Sequence, residues 1–195
     1  MTCQINKVVS HCYKILKDIG RIRSVLSQNH TEMLVHSLIS HRMDYCNSFF
    51  YNIDKSNLKK LQKVQNTAAR LIVRKRKRES ISATIKELHW LRVDSRIIYK
   101  ILILVYKSIN GACSKNIELE FKSHNCREED FLMLKLHFFK TRYGKRTFKY
   151  NAPRLWNALP LQVRTVDNID AFKKMVKTIL IQDTNGFKAK AFKYN

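Results

Sequence analysis

Between Leu58 and Arg74 the chain carries two stripes at one helical period. Leu58, Leu61, Val64, Ala68, Leu71 and Ile72 form an apolar stripe, and Lys59, Lys63, Arg70 and Arg74 form a row of cations. At about 100° per residue those cations fall within roughly 60° of one another, opposite the apolar stripe. The segment is predicted as a helix that packs with one side and presents charge with the other. Asp54 or Ser56 can cap its N-terminus by accepting a bond from a free backbone N–H. The run Arg74-Lys75-Arg76-Lys77-Arg78 ends the helix or forms a basic loop, because adjacent cations repel one another. Lys77 joins the row if the helix continues.

Helical spacing recurs along much of the chain. Ile5, Val8, Val9, Cys12, Ile15, Leu16 and Ile19 predict a first helix, with Gly20 as its C-cap. A second starts near Ser27 and packs through Leu34, Val35, Leu38, Ile39 and Met43, running on toward Tyr45, Cys46, Phe49 and Phe50. A short helix follows over 82–88, and Leu88-His89-Trp90-Leu91 reads as a buried turn. A long helix over 94–110 packs through Ile97, Ile98, Ile101, Leu102, Leu104 and Val105 and ends at Gly111. Arg92, Arg96, Lys100 and Lys107 align on its other side. Beyond it, 113–130 reads as loop. Weak alternation over 131–139 predicts a strand, and Tyr143-Gly144 a turn. A short helix over 153–159 is anchored by Trp156. Ile169, Phe172, Met175, Val176, Ile179 and Leu180 line a last helix over 168–182, with Lys173, Lys174 and Lys177 outward. The basic tail after Asp183 is expected to fray.

Only 4 Gly and 2 Pro in 195 residues favour helices and exclude a collagen or a turn-dense β-sandwich; 45% hydrophobic content excludes wholesale disorder. The expected fold is mainly α: a helical bundle over 1–111, a linker over 112–130, and a small α+β module with a short hairpin and a C-terminal helix over 131–195.

Charge narrows the function. With 38 Lys+Arg against 15 Asp+Glu the formal net charge is +23, which points to a polyanion, nucleic acid first. Lys59, Lys63, Arg70, Arg74, Lys75, Arg76, Lys77, Arg78, Arg96 and Lys100 are the candidate phosphate contacts, a kind of contact that does not read sequence. A solvated cationic face is the plain alternative for any single stripe. Trp90, Tyr143 and Trp156 can stack on bases, although each lies in an apolar turn that favours a core role.

Other chemistries find little footing. No nucleotide-binding or nucleophile-elbow motif is present, and no cofactor is expected. Glu128-Glu129-Asp130 is the one acidic cluster and reads as a solvated loop rather than a metal site for nucleotidyl transfer. Cys113, His124, Cys126 and His137 lack zinc-site spacing. Cys46, beside His36 and His41, falls on a packing face and reads as core, not nucleophile. The cysteines, Cys3, Cys12, Cys46, Cys113 and Cys126, are odd in number and lack CxxC spacing, which fits a reducing compartment, nucleus or cytoplasm. The longest apolar run, 101–106, lies between Lys100 and Lys107 and is far short of the roughly 18 residues of a membrane span.

Several blocks resemble the polyproteins of jockey-like non-LTR (LINE) retrotransposons. They are His36-Ser37-Leu38-Ile39-Ser40-His41-Arg42-Met43-Asp44-Tyr45-Cys46-Asn47-Ser48, Leu61-Gln62-Lys63-Val64-Gln65-Asn66-Thr67-Ala68-Ala69-Arg70-Leu71-Ile72, and Leu88-His89-Trp90-Leu91 with Arg96-Ile97 and Tyr99-Lys100-Ile101-Leu102. Tyr143-Gly144, Ala152-Pro153-Arg154-Leu155-Trp156-Asn157-Ala158-Leu159-Pro160, Phe172-Lys173 and Lys177-Thr178 continue the likeness in order. Arg92 stands where the family has Pro, and the stretch 111–117 has lost another.

In that family these blocks follow the reverse-transcriptase palm, as the thumb and the region after it. The resemblance therefore implies a thumb-like bundle, no catalytic aspartates, and a chain that begins inside a former larger protein. The function expected is a noncatalytic nucleic-acid-binding remnant of an RNA-directed DNA polymerase. Its rivals are a domesticated standalone RNA- or DNA-binding factor and a nuclease using Glu128, Glu129 and Asp130. A thumb without its palm is expected to self-associate through an uncovered apolar face.

Overall fold

The computed structural model describes residues 2–45, 47–113, 117, 119–122, 132–141, 143–182 and 184–191, and 71% of them are helical. The chain divides into two compact units, Met1–Asp94 and Ser95–Asn195.

The first unit is organised by two long amphipathic helices, α1 (Thr2–Ile22) and α4 (Lys55–Val73). Ile5, Cys12, Leu16 and Ile19 of α1 are buried, as are Leu61, Val64, Ala68, Ala69 and Ile72 of α4. The helices run parallel. Asn57 donates to Thr2 Oγ1 at 3.2 Å and Lys60 to Asn6 Oδ1 at 2.8 Å near one end, and Arg23 reaches Leu71 and Ile72 at the other. Parallel packing sets two helix C-termini side by side, where partial negative charges add. Asp54 occupies the N-cap of α4, but its side chain makes no capping bond; its carbonyl accepts from Asn57 and Leu58. Gly20 is not a cap: α1 runs through it to Ile22. A Cβ at Gly20 would touch Leu71 at 4.0 Å, ordinary contact, so nothing there requires glycine.

Helix α2 (Gln28–Val35) begins where expected, with Ser27 Oγ accepting from the His30 amide at 3.2 Å. It then passes into a π-helical turn, His36–Ser40, before α3 (His41–Asp44). The wider turn rotates the apolar register. Val35, Ile39 and Met43 stay buried, while Leu38, Tyr45 and Phe49, expected inside, are exposed. Cys46 lies outside the described residues.

α5 (Ser82–Glu87) leads into the expected buried turn, which exposes His89 at φ 53° and buries Trp90 and Leu91. Two glutamines of α4 hold it: Gln65 Nε2 donates to the Leu91 carbonyl at 2.8 Å, and Gln62 Oε1 accepts from the Val93 amide at 3.1 Å.

In the second unit, Ile97, Ile98, Ile101, Leu102, Val105 and Tyr106 of α6 (Val93–Ile109) are buried, and Leu104 is half-buried. Gly111 takes φ +68° after the helix, the left-handed conformation expected of a C-cap glycine. α7 (Phe148–Asn157) starts before Pro153 and buries Trp156, as expected, against Phe172 of α9 (Ile169–Gln182). α8 (Leu161–Arg164) lies between them. The tail does not fray at once: α10 (Thr184–Ala191) packs on α7 and α9 through Phe187 and Ala191.

The expected α+β character of this module is corrected. Among the described residues there is no strand, and only one isolated antiparallel bridge, Phe121 with Leu134. The backbone of 132–139 is held from two sides: the Lys122 amide donates to the Met133 carbonyl at 2.9 Å and the Lys135 amide to the Glu120 carbonyl at 2.8 Å, and side chains of α7 supply further bonds. Trp156 Nε1 donates to the Leu132 carbonyl at 2.8 Å. Asn157 donates to the Leu134 carbonyl and accepts from the Leu134 amide, both at 2.8 Å. Arg154 donates to the His137 carbonyl at 3.1 Å. An extended segment pinned this way alternates like a strand without a partner strand. Gly144 is needed next to it, because a Cβ there would sit 2.6 Å from Phe139 Cβ.

Candidate nucleic-acid interface

Along the C-terminal halves of α1 and α4 runs an open groove of about 910 Å³. Its cations are Arg23, Lys63, Arg70, Arg74, Lys75 and Lys77, and no described carboxylate lines it. The spacing of Lys63, Asn66, Thr67, Arg70, Leu71 and Arg74 explains the wall: steps of three and four residues place them on one side of α4. Tyr13 and Leu16 of α1 complete it with Leu71, giving an apolar strip among the charges.

The cations are held differently. Arg23 is buried and spends its whole fork on backbone: Nε donates to Leu71 at 2.8 Å, Nη1 to Leu26 at 2.7 Å, and Nη2 to Ile72 at 2.7 Å. It thereby satisfies carbonyls that the last turn of a helix leaves open. Burial and then the charge of Arg74 lower its pKa from the ordinary arginine value. Arg74 ends α4 in the left-handed conformation, φ 56°, and donates to the Arg23 carbonyl at 3.1 Å. Lys75 Nζ donates to Thr84 Oγ1 at 2.7 Å.

Arg70 is half committed. Nη2 donates to the Glu79 carbonyl at 3.1 Å, while Nε is buried without an acceptor. Leaving such a donor unmet costs about 1–3 kcal/mol. No described hydrogen bond or ion pair engages the ammonium groups of Lys63 and Lys77.

Five of the residues expected to meet phosphate thus share one groove: Lys63, Arg70, Arg74, Lys75 and Lys77. Lys77 reaches it although α4 stops at Val73 and the basic run is a loop, closed by Glu79 Oε1 accepting from the Arg76 amide at 2.7 Å. Lys59, Arg76 and Arg78 are exposed outside its lining, and Arg96 and Lys100 belong to α6 in the second unit. Arg74 is not a simple outward cation, since it joins α4 to the end of α1. Of the stacking candidates, Trp90 and Trp156 are buried and Tyr143 is 83% exposed.

Arg23, Tyr13 and Leu16 were not among the expected site residues. A cation just past the end of α1 is a visible signal, but the helix it caps lies 49 residues on. Among the described residues, no group of three His, Cys, Asp or Glu could hold a metal ion, and no helix is long and apolar enough to cross a membrane. His124, Cys126 and Glu128-Glu129-Asp130 lie outside the described residues. No protein-family model, curated protein or solved structure matches the chain.

Proposed function

We propose that the chain is a noncatalytic nucleic-acid-binding module that grips phosphates in the groove between α1 and α4. The single observation that carries this is the lining: six cations, two with ammonium groups not engaged by described residues, and no described carboxylate. A solvated stripe would need neither concavity nor the Arg23 scaffold. The blocks quoted above support its origin as the thumb and downstream region of a non-LTR retrotransposon reverse transcriptase, acting in the nucleus or cytoplasm. On this reading the purified chain neither extends a primer nor cuts nucleic acid with Mg²⁺ or Mn²⁺. Met33, Leu38, Tyr45 and Phe49 are the exposed apolar residues through which it would self-associate.

A second reading, a domesticated standalone binding factor, is favoured by one observation. The apolar faces of α1 and α4 cover each other without a palm. A cooperative melt of a monomer would favour it over the remnant.

Lysine acetylation footprinting tests the shared claim. With a 20-nucleotide RNA or DNA bound, Lys63 and Lys77 are expected to be protected. Protection confined to Lys173, Lys174 and Lys177 of α9 would move the interface to the second unit.

A further inference from the structure

We propose that the groove takes a single strand rather than a duplex, with a base stacked on Tyr13 and flanking phosphates on Lys63 and Lys77. The inference rests on the groove being the nucleic-acid interface and adds the class of nucleic acid.

A duplex turns its phosphates outward and keeps its bases stacked inside, so a duplex site needs cations and has no use for an apolar strip between them. This groove has such a strip. Tyr13 and the half-buried Leu71 line it together with the cations, above the buried Leu16, and Tyr13 is 39% exposed. Tyr13 is also the aromatic residue of the lining. A tyrosine at this position on α1 does not complete the core, which the preceding Cys12 and the next-turn Leu16 fill. An aromatic face set among cations is the arrangement that binds unpaired strands: bases stack on the ring, and the backbone tracks the charge. The same ring stacks on any base, so this contact carries no sequence preference of its own.

The test is fluorescence anisotropy with a labelled 12-nucleotide oligo-dT and a labelled 12-base-pair duplex, under identical salt, on the full chain. The single strand should bind at least tenfold tighter than the duplex. Tyr13→Leu should weaken the single strand by about tenfold and leave the duplex unchanged, and Tyr13→Phe should restore binding. Circular dichroism checks that each variant folds. Equal or tighter duplex binding, or a Tyr13→Leu effect that is absent or equal on both probes, overturns the inference. Lys63→Gln/Lys77→Gln separates the two levels. If it weakens both probes while Tyr13→Leu does nothing, the interface stands and the single-strand assignment falls. If it weakens neither, the interface itself falls.

Discussion

Arg23 Nη2 donates to the carbonyl of Ile72 at 2.7 Å, joining the end of α1 to the end of α4 across 49 residues of chain. With its bonds to Leu71 and Leu26, this one side chain fixes the corner from which Arg74 and the basic loop depart. The floor of the groove and its charged wall therefore depend on a buried cation whose three nitrogens each donate to a backbone carbonyl.

Arg23→Met should destabilise the first unit by about 2–4 kcal/mol, because it leaves helix-end carbonyls unmet in a buried setting. Arg23→Lys should recover only part, since an ammonium lacks the planar fork that reaches three carbonyls. Urea denaturation should show the midpoint falling with an unchanged slope. An unaltered midpoint for Arg23→Met would mean that the corner is held by other contacts.

Asn157→Ala should loosen the extended segment at Leu134 without unfolding α7. The Asn157 amide makes both bonds to the backbone of Leu134, so the cost is about 1–3 kcal/mol and local. Hydrogen exchange at the Leu134 amide should accelerate at least tenfold, while amides in α9 keep their protection. Uniform acceleration would show that the segment and the helices open as one.

Much of the helical layout was legible because period and capping are local. The stripe of α4, the Ser27 cap, the Gly111 stop and the Trp90 turn all appear in the chain itself. Register was lost where a π turn intervened and left Leu38 at the surface, and the helix stops at Asp44, so Tyr45 and Phe49 lie beyond it rather than on its packing face. The 132–139 segment misled for another reason. Its alternation is real, yet it pairs with 120–122 through a single bridge, and the bonds that replace a longer ladder come from Arg154, Trp156 and Asn157, which read as an ordinary polar and aromatic helix. For the site, the cations on α4 were legible by spacing. The α1 half was not, because nothing local says which helix Tyr13 faces.

His89 sits at φ 53° and is exposed. The left-handed conformation penalises a Cβ, so His89→Gly should stabilise the first unit by about 0.5–1 kcal/mol. A thermal melt raised by a few degrees is expected; a lower melting temperature would show that the imidazole itself supports the turn.

Alkali should weaken both units. Burial raises the pKa of Tyr51, and burial together with the charge of Asp167 raises that of Tyr106. The unfolded chain releases these protons near pH 10 while the folded chain keeps them. The contribution is therefore complete below about pH 10 and is lost as the pH climbs toward the folded values. Each retained proton lowers stability by about 1.4 kcal/mol per pH unit in that window. Tyr51→Phe should remove one proton from the slope measured between about pH 10 and 11.5. An identical slope in the variant would show that Tyr51 ionises equally well in the fold.

The phosphate groove is tested most directly by the salt dependence of oligo-dT binding, comparing the wild-type chain with Lys63→Gln/Lys77→Gln. Each lost contact with a single strand removes about 0.7 from the slope of log K against log salt. The double variant should bind more weakly and show a slope shallower by about 1.4, with an unchanged circular dichroism spectrum, since both ammonium groups lie outside the core. Unchanged affinity and slope would contradict the account, because the groove's two uncommitted lysines would then meet no phosphate.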